Sequence, residues 1–304
     1  MRRLAGPVLT FAVLAVLPLL PVGGYLLLLV TRVMVFALAA LSLDLILGAG
    51  GMVSFGQAAY LAIGAYAVAV FDAADLNDAW IVLPAACGAA AVFATITGAI
   101  ALRTRGVNFI MITLAFAQMI YFGTGSLADY GGDDGYSLIA RTAVFGMPVL
   151  RGPGFYWCAF VLLAAGYLFC HMLVASRFGR ALRAVKQNHA RAAALGFSPF
   201  ALQLTAYVIA GTMCGIAGVM LANNAEFVSP AYAAWQRSGD LLIMVILGGV
   251  GSLHGAILGA AAVVLLEDGL GHLTEHWRLI YGPLLILAVL FFRDGLAGIG
   301  ARRG

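Results

Sequence analysis

The sequence predicts an all-α, polytopic transmembrane helical bundle of about ten spans (range eight to ten), with both termini cytoplasmic. Three observations predict it. Of 304 residues, 63% are hydrophobic and only 10% charged, with a mean hydropathy of +1.01, far outside soluble globular usage. Apolar runs approach the roughly 20 residues that carry a helix through a bilayer. They are too long and too evenly apolar for barrel strands, which leaves helices as the way to pair backbone groups in lipid. Arginines gather in alternate loops, as the positive-inside rule requires.

In chain order the predicted spans are 4–21, 25–47, 54–71, 80–102, 106–125, 154–175, 201–222, 239–250, 254–268 and 278–293. Arg2 and Arg3 precede the first, and the small residues Val22, Gly23 and Gly24 that follow it also fit a cleaved signal peptide. No soluble protein follows, so the span is expected to be retained. Alternating crossings put Arg2/Arg3, Arg103/Arg105, the run from Arg177 to Arg191, and Arg293 with Arg302/Arg303 on one side. The other side collects Asp72, Asp75, Asp78 and the polar loops near 127–154 and 223–239. The weak point is 239–268, where ILGGVGSLHGAILGA cuts one apolar stretch in two; a single helix there would place the C-terminus outside. The whole chain, 1–304, reads as one integral membrane domain, with 176–200 a cytoplasmic loop within it.

Enzyme signatures are missing from the sequence. It has no GxxxxGK[ST], HExxH or GxSxG, and Lys186 is its only lysine, so the chain does not cradle ATP phosphates in a P-loop. Cys87, Cys158, Cys170 and Cys214 lie scattered in apolar runs without metal or redox spacing, and the five histidines are dispersed. No metal site or catalytic residue is expected. Net charge is +4, but the arginines flank spans and orient them, so nucleic acid is not an expected partner. Glu267 and Asp268 fall at a predicted helix end, where solvated charges are ordinary. Arg32 and Asp44 share the second span, too far apart to pair directly. Ionisable residues in the spans are otherwise scarce, which argues against coupling to protons or sodium and for an external energy source.

Glycine patterning is the strongest local signal. GAGGMVSFGQAAYLAIGAYA (48–67) and LGGVGSLHG (247–255) admit two readings. Small residues let helices pack closely, or they break a helix so that freed backbone lines a polar path. Both stay open for the glycines, Gly249 among them; Ser54 and Gln57 favour the path, and Ser252 raises the same choice.

Four segments carry a family resemblance: LDLILGAGGMVSFGQAAYLAIGAY, LRTRGVNFIMITLAFAQMI, GRALRAVKQNHARAAALGFSPFALQLTAYVIAGTMCGIAGVML and VILGGVGSLHGAILGA. Together, across about residues 35–265, they resemble the membrane permeases of branched-chain amino acid ABC importers, and the LRTRG segment resembles the M-type subunit. Asp44 stands where such permeases often have asparagine, and Gln203 where lysine is frequent.

The resemblance implies a bacterial inner-membrane importer in which this chain joins a second related permease, two ATPase subunits that bind the ATP, and a periplasmic substrate-binding protein. It needs no cofactor of its own. Residues 179–196 then match the cytoplasmic coupling helix that docks in an ATPase groove, with Gly179, Arg180, Leu182, Arg183, Lys186, Ala193, Leu195 and Gly196 as coupling residues. Ala181, Leu182, Val185, Ala193, Ala194 and Leu195 are expected to form its apolar docking face, and Gly196 and Pro199 its stop signals. Ser54, Gln57, Asn108, Thr113, Gln118, Gly249 and Ser252 are the expected pathway residues, since polar side chains facing lipid gain no partner. An ion-coupled transporter or facilitator without ATPases is the alternative, a non-transporting scaffold a third.

Overall fold

A computed structural model describes residues 2–19, 23–143, 153–273, 279–284 and 295–299. The expected cluster Arg302/Arg303, together with Arg293, Arg151 and most of the 278–293 span, lies outside the described residues. In order the helices are α1 (Arg2–Val16), α2 (Gly24–Asp44, continuing as a π-helical turn, Leu45–Ala49), α3 (Gln57–Ala73), α4 (Ala79–Ala101), α5 (Val107–Gly125), α6 (Pro153–Ala175), α7 (Arg177–Gln187), α8 (His189–Ala194), α9 (Pro199–Ala225), α10 (Trp235–Gly248) and α11 (Leu253–Leu273). Helical residues 279–284 and a short turn, Leu296–Ile299, follow.

Among the described residues six helices are long and apolar enough to cross a membrane: Gly24–Ala49, Ala79–Ala101, Val107–Gly125, Gly154–Ala175, Pro199–Ala225 and Leu253–His272. Two apolar helices are shorter, Gly6–Val16 and Gln57–Ala73. The chain is a multi-pass helical membrane protein. The 239–268 stretch is two helices rather than one, separated at Gly249, Val250, Gly251 and Ser252. α11 also runs past the predicted end at 268, because the half-buried Glu267 and Asp268 find partners on α2, in Arg32 and Tyr25, instead of marking the helix edge.

α2 and α9 form the centre. In their most apolar stretch 72% and 67% of residues are buried, against 28%, 22% and 17% in α4, α5 and α6. The outer helices therefore turn large apolar side chains outward, among them Ile96, Met119, Phe122 and Leu168, as a helix facing lipid or another membrane subunit does. α3 and α9 cross in close contact. A Cβ on Gly64 would collide with the Gly215 carbonyl, and one on Gly218 with the Leu61 carbonyl. Small residues thus bring the two backbones into contact, and for Gly64 the packing reading holds.

The two ends of the bundle differ in charge. At the acidic end, β1 (Tyr136–Ser137) pairs antiparallel with β2 (Phe227–Val228). The buried Asp72 carboxylate accepts the Ile139 and Ala140 N–H groups at 2.8 and 3.1 Å, Asn223 accepts that of Thr142, and Arg141 pairs with Glu226. These bonds fasten the loop after α5 across the ends of α3 and α9. The basic end carries Arg105, α7 and α8.

Candidate functional site

Between α2 and α3 the chain leaves the helix inside the bundle. Gly51, at φ +68°, turns it away from the π-helical turn, with the Gly51 and Met52 amides still donating to the Leu47 and Ile46 carbonyls at 3.1 and 3.0 Å. Beyond that the backbone is irregular, and side chains take over its hydrogen bonding. Ser54 Oγ accepts the Gly56 N–H at 3.1 Å. Thr113 Oγ1 accepts the Phe55 N–H at 3.2 Å. Ser238 Oγ, from α10, donates to the Phe55 carbonyl at 2.6 Å and accepts the Ala58 N–H at 3.0 Å. This is how broken helices survive away from water. The helix is therefore broken at the glycines before Gln57, with its freed backbone groups taken up by side chains.

Gln57 opens α3 and is 1% exposed, yet neither its Oε1 nor its Nε2 has a partner among the described residues. An unpaired buried amide costs about 1–3 kcal/mol, a cost that a bound water or ligand would offset. The structure brings Ser54, Gln57 and Thr113 together. Asn108 is exposed at the start of α5, apart from them. Gln118 lines a different cavity, of about 600 Å³, toward the acidic end.

The second break, before α11, meets the first. A Cβ on Gly48 would lie 2.5 Å from Gly251 Cα, so only glycines permit this approach. Asp44 Oδ1 accepts the Gly251 N–H at 2.7 Å, and Lys186 Nζ donates to the Gly48 carbonyl at 2.8 Å. Gly249 (φ +109°) bends the chain, and Ser252 Oγ accepts the Gly255 N–H at 3.2 Å, capping α11. Beneath lies a cavity of about 210 Å³ bordered by Gly50, Gly51, Arg105, Lys186, His189 and Gln203.

The basic run is two helices, not one. Asn188 ends α7 and caps α8, its Oδ1 accepting the Arg191 N–H at 2.9 Å. Gly196 then closes α8, with the Gly196 and Phe197 amides bonded to the Ala193 and Ala192 carbonyls at 3.0 and 3.2 Å. The stop expected at Gly196 is present, and Pro199 begins α9. The apolar face divides. Ala181, Leu182 and Val185 are buried against the chain's own bundle, while Ala193, Ala194 and Leu195 remain exposed, Leu195 by 70%. Leu182 is thus a core residue and not a free docking residue. Gly179 is buried beside the last α6 carbonyls, and Arg180 and Arg183 donate to the carbonyls of Ala175 and Val174, both at 2.9 Å. Two of the three basic residues expected to couple, Arg180 and Arg183, therefore cap α6. His189 lies 3.1 Å from Arg105; burial first and the guanidinium second lower its pKa.

Sequence reasoning missed Ser238, and it placed Glu267 in solvent. Glu267 is instead 3.4 Å from Arg32 and 4.0 Å from Arg237. The available signal was QRSGDLL, where Arg237 and Asp240 stand three apart at the start of an otherwise apolar helix.

A multi-pass bundle with its polar groups gathered at two interrupted helices has the architecture of a permease. The chain belongs to the family described as branched-chain amino acid transport system, permease component, which it matches over residues 25–289. It is similar to the high-affinity branched-chain amino acid transport system permease protein LivM of Salmonella typhimurium and that of Escherichia coli, each 27% identical over 290 residues, covering 88% of this chain and 68% of the relative. It is also similar to LivH of Escherichia coli, 24% identical over 284 residues, covering 86% of this chain and 91% of the relative. No solved structure matches the chain.

Proposed function

We propose that the chain is the M-type membrane-spanning subunit of an ATP-driven importer for branched-chain amino acids or related small molecules. The family match across 25–289 is the observation that carries this reading. Its partners are a second related permease, two ATPase subunits and a periplasmic binding protein, in the bacterial inner membrane. Similarity to both LivM and LivH supports a paired permease. About ten crossings place both termini and the α7–α8 loop in the cytoplasm; the opposed charge of the two ends supports this orientation. Cysteine labelling tests it: reagent from the cytoplasmic side should reach positions beside Arg103 and Lys186, and reagent from outside those beside Asp133 and Glu226.

Coupling to the ATPase falls to the exposed tip of the loop, Ala193, Leu195 and Gly196, while Lys186 carries the motion to the broken α2–α3 segment. Ser54, Gln57 and Thr113, with Gly249 and Ser252 at the second break, line the route, and Gln118 stands toward its outer end. The test is Leu195→Glu in the reconstituted complex. A charge forced into an apolar contact costs a few kcal/mol, about 3–5 when it stays unpaired. ATPase stimulation by loaded binding protein should fall at least tenfold with normal recovery of folded permease. Full stimulation would remove the tip from coupling, and uptake persisting without any ATPase would overturn the importer itself.

A further inference from the structure

The cavity of about 210 Å³ lies at the basic end, at the level where two membrane-length helices stop: α4 ends at Ala101 and α5 begins at Val107. Three parts of the chain wall it. The connection between α4 and α5 supplies Arg105 and Gly106, the junction of α7 and α8 supplies Lys186 and His189, and α9 supplies Gln203. No carboxylate stands in this lining among the described residues. Asp44 offsets part of the Lys186 charge, but its Oδ1 is bonded to the Gly251 N–H. Arg105 has no counter-charge of that kind. Its Nη2 donates to His189 Nδ1 at 3.1 Å, a ring that burial and the guanidinium itself keep from protonating, where a guanidinium ordinarily finds an anion. Gly106 is also the N-cap of the 19-residue α5, which no side chain caps, so the positive end of that helix adds to the same field.

We infer that this cavity holds the phosphate of an anionic phospholipid, between Arg105 and Lys186 and against the Gly106 end of α5. The Lys186 ammonium has three donors, so it can meet a phosphate oxygen and keep the Gly48 carbonyl. The volume is below the roughly 300–1,000 Å³ of small-molecule sites, which suits a headgroup phosphate and not a nucleotide. Exposed apolar surface selects a lipid over inorganic phosphate. Val107 is 67% exposed and Phe200 42% exposed, each three positions before a cavity residue, Ile110 and Gln203 respectively, and so on the same helix face. Acyl chains beside the cavity would therefore meet hydrocarbon while the phosphate meets cations. Basic pockets between membrane helices at the headgroup level take anionic lipids for this reason. A lipid so placed ties the start of α5 to the loop that carries α7 and α8. The inference stands on the membrane-spanning fold and not on what is transported.

The assembled complex in detergent is titrated with phosphatidylglycerol and, separately, with phosphatidylcholine, whose phosphate carries its own ammonium, and the retained lipid is counted by native mass spectrometry. The wild type should hold phosphatidylglycerol at least tenfold more tightly than phosphatidylcholine. Arg105→Gln should weaken phosphatidylglycerol about fivefold, the worth of one basic residue before an anionic headgroup. Arg103→Gln, two residues away and outside the cavity lining, should leave it unchanged. If Arg105→Gln fails to assemble, the wild type provides the reading: phosphatidylglycerol, and not phosphatidylcholine, should slow acylation of Lys186, followed on its own peptide. Equal retention of the two lipids, equal losses in the Arg103 and Arg105 variants, or a Lys186 that phosphatidylglycerol does not protect would overturn the site. Inorganic phosphate protecting Lys186 as well as phosphatidylglycerol does would overturn the lipid as its occupant.

Discussion

At the basic end, Asp44 and Lys186 hold backbone partners at 2.7 and 2.8 Å, whereas toward the acidic end Arg32, Arg237, Asp240 and Glu267 face one another at 3.4 to 4.0 Å. The first arrangement ties charged side chains to main chain that has left its helix, so each bond replaces one that the helix no longer makes. The second joins charged side chains to one another, with 21–33% of each still exposed. Ion pairs of that exposure contribute about 0–1 kcal/mol. Charge bonded to backbone is thus structural, while charge that faces charge at this exposure adds little to stability.

The hardest break of that contrast is Gly48→Val. Its Cβ has Gly251 Cα at 2.5 Å and Asp44 Oδ1 at 2.8 Å, and the Gly251 backbone leaves little room to yield. Overpacking of this kind costs on the order of 3 kcal/mol or more, so little folded protein should elute in detergent size exclusion; normal yield would mean that the two breaks do not meet. Asp44→Ala is next. It strands the Gly251 N–H and should cost about 1–3 kcal/mol, read as a lower melting temperature, while Asp44→Asn keeps an acceptor and should lose less. Glu267→Gln should change the melting temperature much less than Asp44→Ala, by about 1 kcal/mol at most. Equal losses at the two sites would erase the distinction.

Gln57→Leu sharpens it from the other side. It removes two unpaired buried polar atoms, so thermal stability should hold or rise slightly, by up to about 1 kcal/mol, while uptake falls. Unchanged uptake would make Gln57 a packing residue. The smallest effect belongs to His189. Its pKa is lowered by burial and then by Arg105, so the undocked loop takes up a proton that the docked loop excludes. The contact is at full strength above the ordinary histidine value near 6.5 and weakens as pH falls below it. Tryptic cleavage at Arg191 should therefore speed up between pH 7.5 and 5.5, and a flat profile would detach His189 from docking.

The spans were legible because lipid leaves a polypeptide few choices: residues 80–102 and 154–175 read almost as they fold, as Ala79–Ala101 and Pro153–Ala175. The end of α8 was equally plain, since Gly196 states it locally. What periodicity does not carry is which surfaces meet. Asp44 and Gly251 are 207 residues apart, and Lys186 and Gly48 are 138 apart. Nothing in either segment names the other. The same holds for Leu182 and Val185: their helical spacing announces an apolar face, but their own bundle covers it as well as a partner would. Glu267 was misplaced because a charge beside an apolar run reads as the run's end until the arginines facing it are known.

The bond from Lys186 to the Gly48 carbonyl has a practical consequence. The sequence contains a single ε-amine, and that amine reaches the broken α2–α3 segment from the exposed side of α7. An amine-selective dye or cross-linker will therefore find one lysine on this subunit. The nitrogen must leave the carbonyl before it can attack, so the labelling rate measures how often the bond opens. Followed through nucleotide addition in the assembled complex, that rate is a clock for the loop's motion that requires no engineered residue.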